Sequence, residues 1–312
     1  MAVMGLILVT AFVAMALFAP WLAPHDPLKI QVMDKFHRPD SIYLAGADQL
    51  GRDILSRIIY GARTAMGVAL TATGTAGLCG LILGLIAGYG PRWLDGILVL
   101  MFDSLSSLPT VMFALAVITV LGPGTFTLIL VIILISIPGY ARFIRAQTLG
   151  LAHADFIEAE RVMGASHARI IFRHLLPNVV GPLLIVLSMD VPVVIMLEAG
   201  LSYLGLGVKP PSPSWGNILY DGYVSLRQAP FIVVIAGLPL VLATGATHAE
   251  HRDTRLEFVQ VGYGEIDGHE SLPELIWLVR LCFPKPNKWL TNANHGHQIS
   301  FKVSRNGAVP ST

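Results

Sequence analysis

Long apolar segments recur along most of the chain. The hydrocarbon core of a bilayer is about 30 Å thick, so a spanning helix needs roughly 20 mostly apolar residues. Six segments meet or approach that length, at about residues 4–23, 66–89, 94–121, 125–141, 180–205 and 230–247. Because lipid offers no hydrogen bonds to the backbone, each segment is predicted to be helical. The pattern predicts an all-α polytopic membrane protein with about six transmembrane helices.

The first segment has a cleaved signal peptide as its alternative interpretation. No positively charged region precedes it, and Pro20-Trp21 stands where a cleavage site would have small residues. We therefore favour a retained helix.

Composition supports the membrane class and excludes others. Apolar residues make up 54% of the chain and charged residues 13%, against about 25% charged in soluble domains. A net charge of +1 provides no basic surface for nucleic acid. The two cysteines, Cys79 and Cys282, fit neither a disulfide framework nor a cysteine-rich metal site, so free thiols are expected.

Basic residues in the loop between the fourth and fifth segments favour a cytoplasmic location for that loop. An even number of spans then places both termini in the cytoplasm and residues 24–65 and 206–229 outside. The charge rule is not clean, because residues 24–65 also carry six Lys and Arg.

Polar and small residues mark particular positions within the apolar segments. Three carboxylates are expensive in lipid and are candidates for a functional role or for hydrogen-bonded helix contacts, two readings that the sequence leaves open: Asp103, Asp190 and Glu198. Gly80 and Gly84 form a GxxxG pattern, which predicts close approach by another helix.

Residues 153–178 predict two short helices around a break. Phe156, Ala159 and Met163 recur at helical spacing, Gly164 suits a helix end, and Ser166 can cap the next helix. Pro177 is expected to stop that second helix. Such a unit is suited to a groove on another protein, or equally to the membrane surface.

The same stretch resembles the EAA loop of permease subunits of ATP-binding-cassette importers, through Glu158-Ala159, Gly164 and Leu176-Pro177. The longer run GASHARIIFRHLLPN is similar to the version in dipeptide, oligopeptide and nickel permeases. Further similar segments occur in the family's order, at residues 46–63, 121–124, 140–142 and 198–215. The resemblance implies a type I importer permease domain over residues 46–247, preceded by residues 1–45 with the first helix and the start of a periplasmic loop.

The resemblance also implies a role and partners. The loop is expected to dock the ATPase through Glu158, Ala159, Gly164, Arg169, Leu176 and Pro177. Expected partners are a second homologous permease, two ATP-binding subunits and a periplasmic solute-binding protein, in the bacterial inner membrane. The chain lacks the phosphate-binding loop G-x-x-x-x-G-K-[ST], so ATP is expected to be used by the partner and this subunit to be no enzyme, with no catalytic residue, cofactor or metal of its own. Peptides are the commoner substrate in this group.

The last part of the chain departs from the family pattern. Residues 248–312 match nothing in it and predict a disordered tail, with one short apolar run at 272–283 that is too short to span. A metal site at His295 and His297 is disfavoured. Two alternatives to the importer permease are an ion-coupled secondary transporter, disfavoured because no internal repeat is evident, and a non-functional remnant with an altered C-terminus.

Overall fold

The computed structural model describes residues 2–243 and 245. Within them the chain is helical, apart from loops and one isolated bridge between Ala47 and Asp53. The helices are α1 Ala2–Leu17, α2 Ala19–Leu22, α3 Ile54–Tyr89, α4 Arg92–Ser106, α5 Thr110–Leu121, α6 Thr125–Ala152, α7 Asp155–Val162, α8 His167–Ile170, α9 Leu176–Tyr203, α10 Trp215–Val224 and α11 Phe231–Ala243. The predicted tail, with residues 272–283, His295 and His297, lies outside the described residues.

Three helical stretches are long and apolar enough to cross a membrane: α3, α6 and the continuous stretch His167–Tyr203. Helices α4 and α5 together give a fourth, although they are bent by 89°. The α11 helix is apolar but shorter, and α1 has 16 residues. The all-α polytopic membrane fold is thus confirmed, and each of the six predicted segments contains helix.

Two helices extend well beyond the predicted apolar segments. α3 begins at Ile54 rather than near residue 66, because the Asp53 side chain caps it by accepting a hydrogen bond from the Ser56 amide. α6 continues past residue 141 to Ala152, where tertiary contacts bury Ile144 and Thr148. Hydropathy marks the lipid-compatible part of a helix, whereas caps and packing decide where the helix ends.

The third predicted segment is wrong as a single straight helix. The chain breaks after Ser106 and resumes at Thr110, with Pro109 immediately before the new helix. Proline has no amide proton and disfavours helical geometry at the residue before it, here Leu108. These two effects account for a break at this position.

The expectation that Pro177 ends the second loop helix is also wrong. A π-helical turn, Ile171–Leu175, joins α8 to α9, and the Leu176 amide donates to the Ile171 carbonyl. The Asn178 side chain donates to the His174 carbonyl at 2.6 Å. Proline falls in the first turn of α9, where its missing amide proton is tolerated.

Among the described helices, α3 and α6 share the most extensive contact and meet along a stripe of glycines. A methyl group at Gly80 would lie 2.5 Å from the Tyr140 Cβ atom, and one at Gly84 would lie 2.6 Å from the Ala141 carbonyl oxygen. The predicted close approach at the GxxxG pattern is confirmed. At Gly67 and Gly74, by contrast, an added methyl group would meet no described atom within 4 Å.

At the other end of the bundle, α10 packs into the core through Trp215. This side chain is 1% exposed, and its indole Nε1–H donates to the Ile58 carbonyl at 2.9 Å. Gly61 allows the contact, since a methyl group there would lie 2.7 Å from the indole ring. The loop between α9 and α11 is therefore anchored to the start of α3.

Candidate docking loop and polar sites

The loop between α6 and α9 is attached to the ends of α3 and α6 by a small apolar cluster. Ile157 of α7 and Ile170 of α8 are buried with Leu175, and partly buried residues from the longer helices pack against them, namely Leu85, Tyr89 and Leu151. The loop therefore forms a folded unit that is continuous with the helix ends.

The turn between α7 and α8 has the geometry of a Schellman motif. Gly164 has a φ of +82°, a conformation that side chains with a Cβ atom rarely adopt. The Ala165 amide donates to the Glu160 carbonyl and the Gly164 amide to the Arg161 carbonyl, both at 3.0 Å. Ser166 then caps α8 by accepting a hydrogen bond from the Arg169 amide. Both sequence predictions, the break at Gly164 and the cap at Ser166, are confirmed.

Polar contacts that the sequence did not predict hold the loop as well. The Tyr89 hydroxyl lies 3.1 Å from Nδ1 of His167, and the Arg161 guanidinium lies 5.5 Å from the centre of the Tyr89 ring. Glu160 and His174 approach within 3.3 Å. Tyr89 is far in sequence from both His167 and Arg161, and no distinctive motif marks the pair Glu160 and His174. Only the fold therefore reveals these contacts.

The outward surface of the loop combines apolar and polar groups. Val162 is 88% exposed, and Met163, Phe172 and Phe156 are exposed as well. The residues predicted to dock the ATPase lie on the same loop: Glu158, Ala159, Gly164, Arg169 and Pro177 are exposed, and Leu176 is partly buried. An exposed apolar surface rimmed by charges is a feature of sites that bind another protein.

The three carboxylates predicted within the apolar segments have three different environments. Asp103 is exposed and pairs with Arg142 at 3.1 Å. Asp190 is partly buried on α9. Glu198 is buried, and its Oε1 atom accepts hydrogen bonds from Ser202 and Ser214, each at 2.8 Å. Within residues 2–243 and 245, no group of three or more His, Cys, Asp or Glu side chains could hold a metal ion.

Glu198 connects α9 to the loop before α10, which leads to a testable prediction. Glu198→Ala leaves the Ser202 and Ser214 hydroxyls without their acceptor, and an unsatisfied buried polar group costs roughly 1–3 kcal/mol. Glu198→Gln keeps the Oε1 acceptor and is the matched control. We expect the alanine variant to lose thermal stability in detergent and the glutamine variant to stay near the wild type. Equal losses would show that the hydrogen bonds contribute little.

A buried ionic cluster at the start of α3 is a further feature that the sequence did not reveal. Arg52 and Arg57 lie between two aspartates: Arg52 Nε is 2.7 Å from Asp48 Oδ2, and Arg57 Nη1 is 3.2 Å from Asp221 Oδ2 and also contacts Asp48. Gln49 donates to Asp221 at 3.2 Å. The cluster joins the loop before α3 to α10 and has no net charge, as a buried set of ions requires.

Comparisons with known proteins agree with this fold and loop. The family described as "Binding-protein-dependent transport system inner membrane component" matches residues 80–248. The N-terminal transmembrane domain of oligopeptide transport permease C matches residues 1–39.

Relatives resemble the chain over most of their length. A dipeptide transport system permease protein of Alkalihalophilus pseudofirmus is 34% identical over 242 residues, which cover 78% of this chain and 80% of that protein. A di/tripeptide transport system permease protein of Pseudomonas aeruginosa is 35% identical and covers 77% and 81%. A glutathione transport system permease protein of Pectobacterium atrosepticum is 35% identical and covers 75% and 78%.

Among solved structures, an inward-facing conformation of the MetNI methionine ABC transporter superposes with a TM-score of 0.51 at 17% identity, over 65% of this chain and 97% of that one. This likeness shows the fold. The family match and the relatives define a membrane permease subunit of a transporter. The chain belongs to the family of inner membrane components of binding-protein-dependent transport systems.

Proposed function

We propose that this permease imports peptides across the bacterial inner membrane with energy from separate ATP-hydrolysing subunits. It works with a second homologous permease, two ATP-binding subunits and a periplasmic solute-binding protein. It holds no cofactor and catalyses no reaction itself, since ATP is bound and cleaved by the partner subunits. The peptide substrate is supported by the names of the dipeptide and di/tripeptide relatives.

The observation that carries the proposal is the construction of the loop. Its buried side packs on the ends of α3 and α6 through Ile157 and Ile170, and its other side exposes Val162 and Met163. A partner that seats on the exposed side and moves must therefore move the ends of both long helices. This coupling is what a transporter needs when its energy source lies on another chain.

The turn at Gly164 allows a sharp test of docking. Space around this glycine is open, so a substitution acts through the backbone rather than through a clash. A β-branched residue is strongly disfavoured at positive φ, whereas asparagine tolerates it. We expect Gly164→Val to reduce capture of the ATPase at least tenfold in detergent co-purification and to abolish uptake of a radiolabelled dipeptide by reconstituted vesicles. Gly164→Asn should retain both activities.

The control separates docking from folding. A side chain at Gly164 would meet no described atom within 4 Å of its Cβ atom, so Gly164→Val should insert in the membrane and bind the second permease normally. Undiminished capture of the ATPase by Gly164→Val would contradict the docking role. Absence of capture by the wild-type chain, despite correct insertion, would reject the importer and favour a remnant or a carrier that works without ATP.

A further inference from the structure

A polar patch interrupts the apolar surface where α4 breaks before α5. Four polar side chains at the end of α4 and directly after it are exposed: Asp103, Ser104, Ser106 and Ser107. The same bent pair exposes large apolar side chains before and after the patch, including Leu100 and Met112. The two halves together are apolar enough to cross a membrane, so the polar groups lie within a predicted span.

An ion pair places two oppositely charged groups in the patch. The Asp103 side chain is 63% exposed and the Arg142 side chain 42% exposed, and they are 3.1 Å apart. Arg142 also donates to the Ser106 hydroxyl at 2.9 Å. Exposed charges in lipid are costly and are normally found facing a protein interior or water. A lipid-facing position for this pair is therefore unfavourable.

The break between α4 and α5 also argues against a lipid-facing position. Residues 107–109 are outside helix, and all three are exposed on this chain. Non-helical backbone at membrane depth is tolerated only where protein buries it or where it lines a water-filled cavity. Interrupted helices of this kind also form substrate sites in other transporters.

Two hydroxyl groups of the patch already donate hydrogen bonds and can still accept them. Ser104 donates to the Leu100 carbonyl and Ser107 donates to the Ser104 carbonyl, each at 2.7 Å. The protons of these two hydroxyls are thus used by backbone carbonyls, and their oxygen lone pairs remain for an outside partner. Together with the Asp103 carboxylate they present hydrogen-bond acceptors. Acceptors of this kind are complementary to the amide and ammonium groups of a peptide.

We propose that Asp103, Ser104 and Ser106 of α4, Ser107 directly after it and Arg142 of α6 line the water-filled substrate passage. The oxygen atoms of Asp103, Ser104 and Ser107 bind the N–H and ammonium groups of the passing peptide, and Arg142 holds the Asp103 carboxylate in place. The peptide contact rests on the proposed function. The position next to water does not, because it follows from the exposed charges and the broken helix.

Cysteine labelling tests both parts. In the assembled transporter in nanodiscs, with Cys79 and Cys282 replaced by serine, Ser104→Cys and Ser107→Cys are treated with a membrane-impermeant cationic thiosulfonate. Labelling is measured at rest and after trapping with ATP and vanadate. The control is Leu78→Cys, which lies on an exposed apolar surface of α3. We expect both serine positions to react at least tenfold faster than Leu78→Cys in one of the two states, and a saturating dipeptide to slow them at least threefold.

Each alternative has a distinct outcome. Labelling as slow as that of Leu78→Cys, both in the complex and in the chain purified alone, would place the patch against lipid and overturn the proposal. Fast labelling that is lost on assembly would place it against the second permease and overturn it as well. Fast labelling that the dipeptide does not slow would refute the peptide contact. Dipeptide uptake by the cysteine-free parent transporter is measured beforehand. If the parent imports the dipeptide, only the peptide contact is refuted, and if it does not, the proposed function fails as well.

Discussion

Asp48→Asn is expected to destabilise the protein by about 3–5 kcal/mol, the range found when one partner of a buried ion pair is removed. Arg52 and Arg57 would then share the single carboxylate of Asp221, and Arg57 is only 2% exposed. The cluster would carry an uncompensated positive charge with little access to water. The substitution changes the charge and almost nothing in size.

Asparagine also preserves the local hydrogen bonds of Asp48. Its Oδ1 atom accepts from the amides of Leu50 and Arg52 at 2.8 and 3.0 Å, and an amide oxygen can do the same. The loss of stability therefore measures the effect of removing the Asp48 charge and not the effect of breaking the hydrogen bonds of the turn. We expect the midpoint of thermal unfolding in detergent to fall on the order of 10 °C.

The same loop contains a matched control. Asp40 also accepts from two backbone amides, those of Ile42 and Tyr43, and the hydrogen bond from Tyr43 lowers its pKa. Among the described residues, His37 is the charge partner of Asp40, at 3.7 Å, and Asp40 is exposed. Asp40→Asn should shift the unfolding midpoint far less than Asp48→Asn. Equal shifts would mean that removing a charge from the buried cluster costs no more stability than removing an exposed charge.

Gly84→Leu is expected to separate α3 from α6 and to lower stability by roughly 3 kcal/mol, the upper part of the range for overpacking. The new side chain would begin 2.6 Å from the Ala141 carbonyl oxygen and equally close to Ile144. The backbone at Ala141 cannot rotate away as a side chain can. We expect a lower yield of folded chain in fluorescence-detected size exclusion and a reduced unfolding midpoint.

The control for this substitution lies on the same helix. Gly74 is exposed and has open space around it, and leucine is the better helix former. Gly74→Leu should leave the stability of the single chain unchanged or raise it slightly. If both leucine variants behaved alike, the glycine stripe would not be a tight helix contact.

These contacts suggest how α3 serves the proposed transport cycle. The ionic cluster and Trp215 hold the first turns of α3, the glycine stripe packs its second half on α6, and Tyr89 at its last turn packs against the loop between α6 and α9. The helix is therefore held by neighbours at its start and along its second half. We expect movement of the loop to displace α3 and α6 together.

Several features could be predicted from the sequence because they depend on local interactions. The apolar segments, the turn at Gly164 and the cap at Ser166 depend on solvation and on short-range hydrogen bonds, which a sequence displays directly. The same applies to the GxxxG stripe at Gly80 and Gly84, although sequence alone does not show why Gly74 on the same helix remains open.

Other features depended on partners that are distant in sequence. Asp221 lies 164 positions from Arg57, and no local pattern predicts that pairing. Asp103, Asp190 and Glu198 looked equivalent as carboxylates in apolar segments, but packing buried Glu198 and left Asp103 exposed beside Arg142. The sequence by itself determined the membrane fold and the turn at Gly164, because solvation and backbone geometry act locally. Only the tertiary structure decided which charges are buried, paired or exposed, because those energies depend on which neighbours the fold supplies.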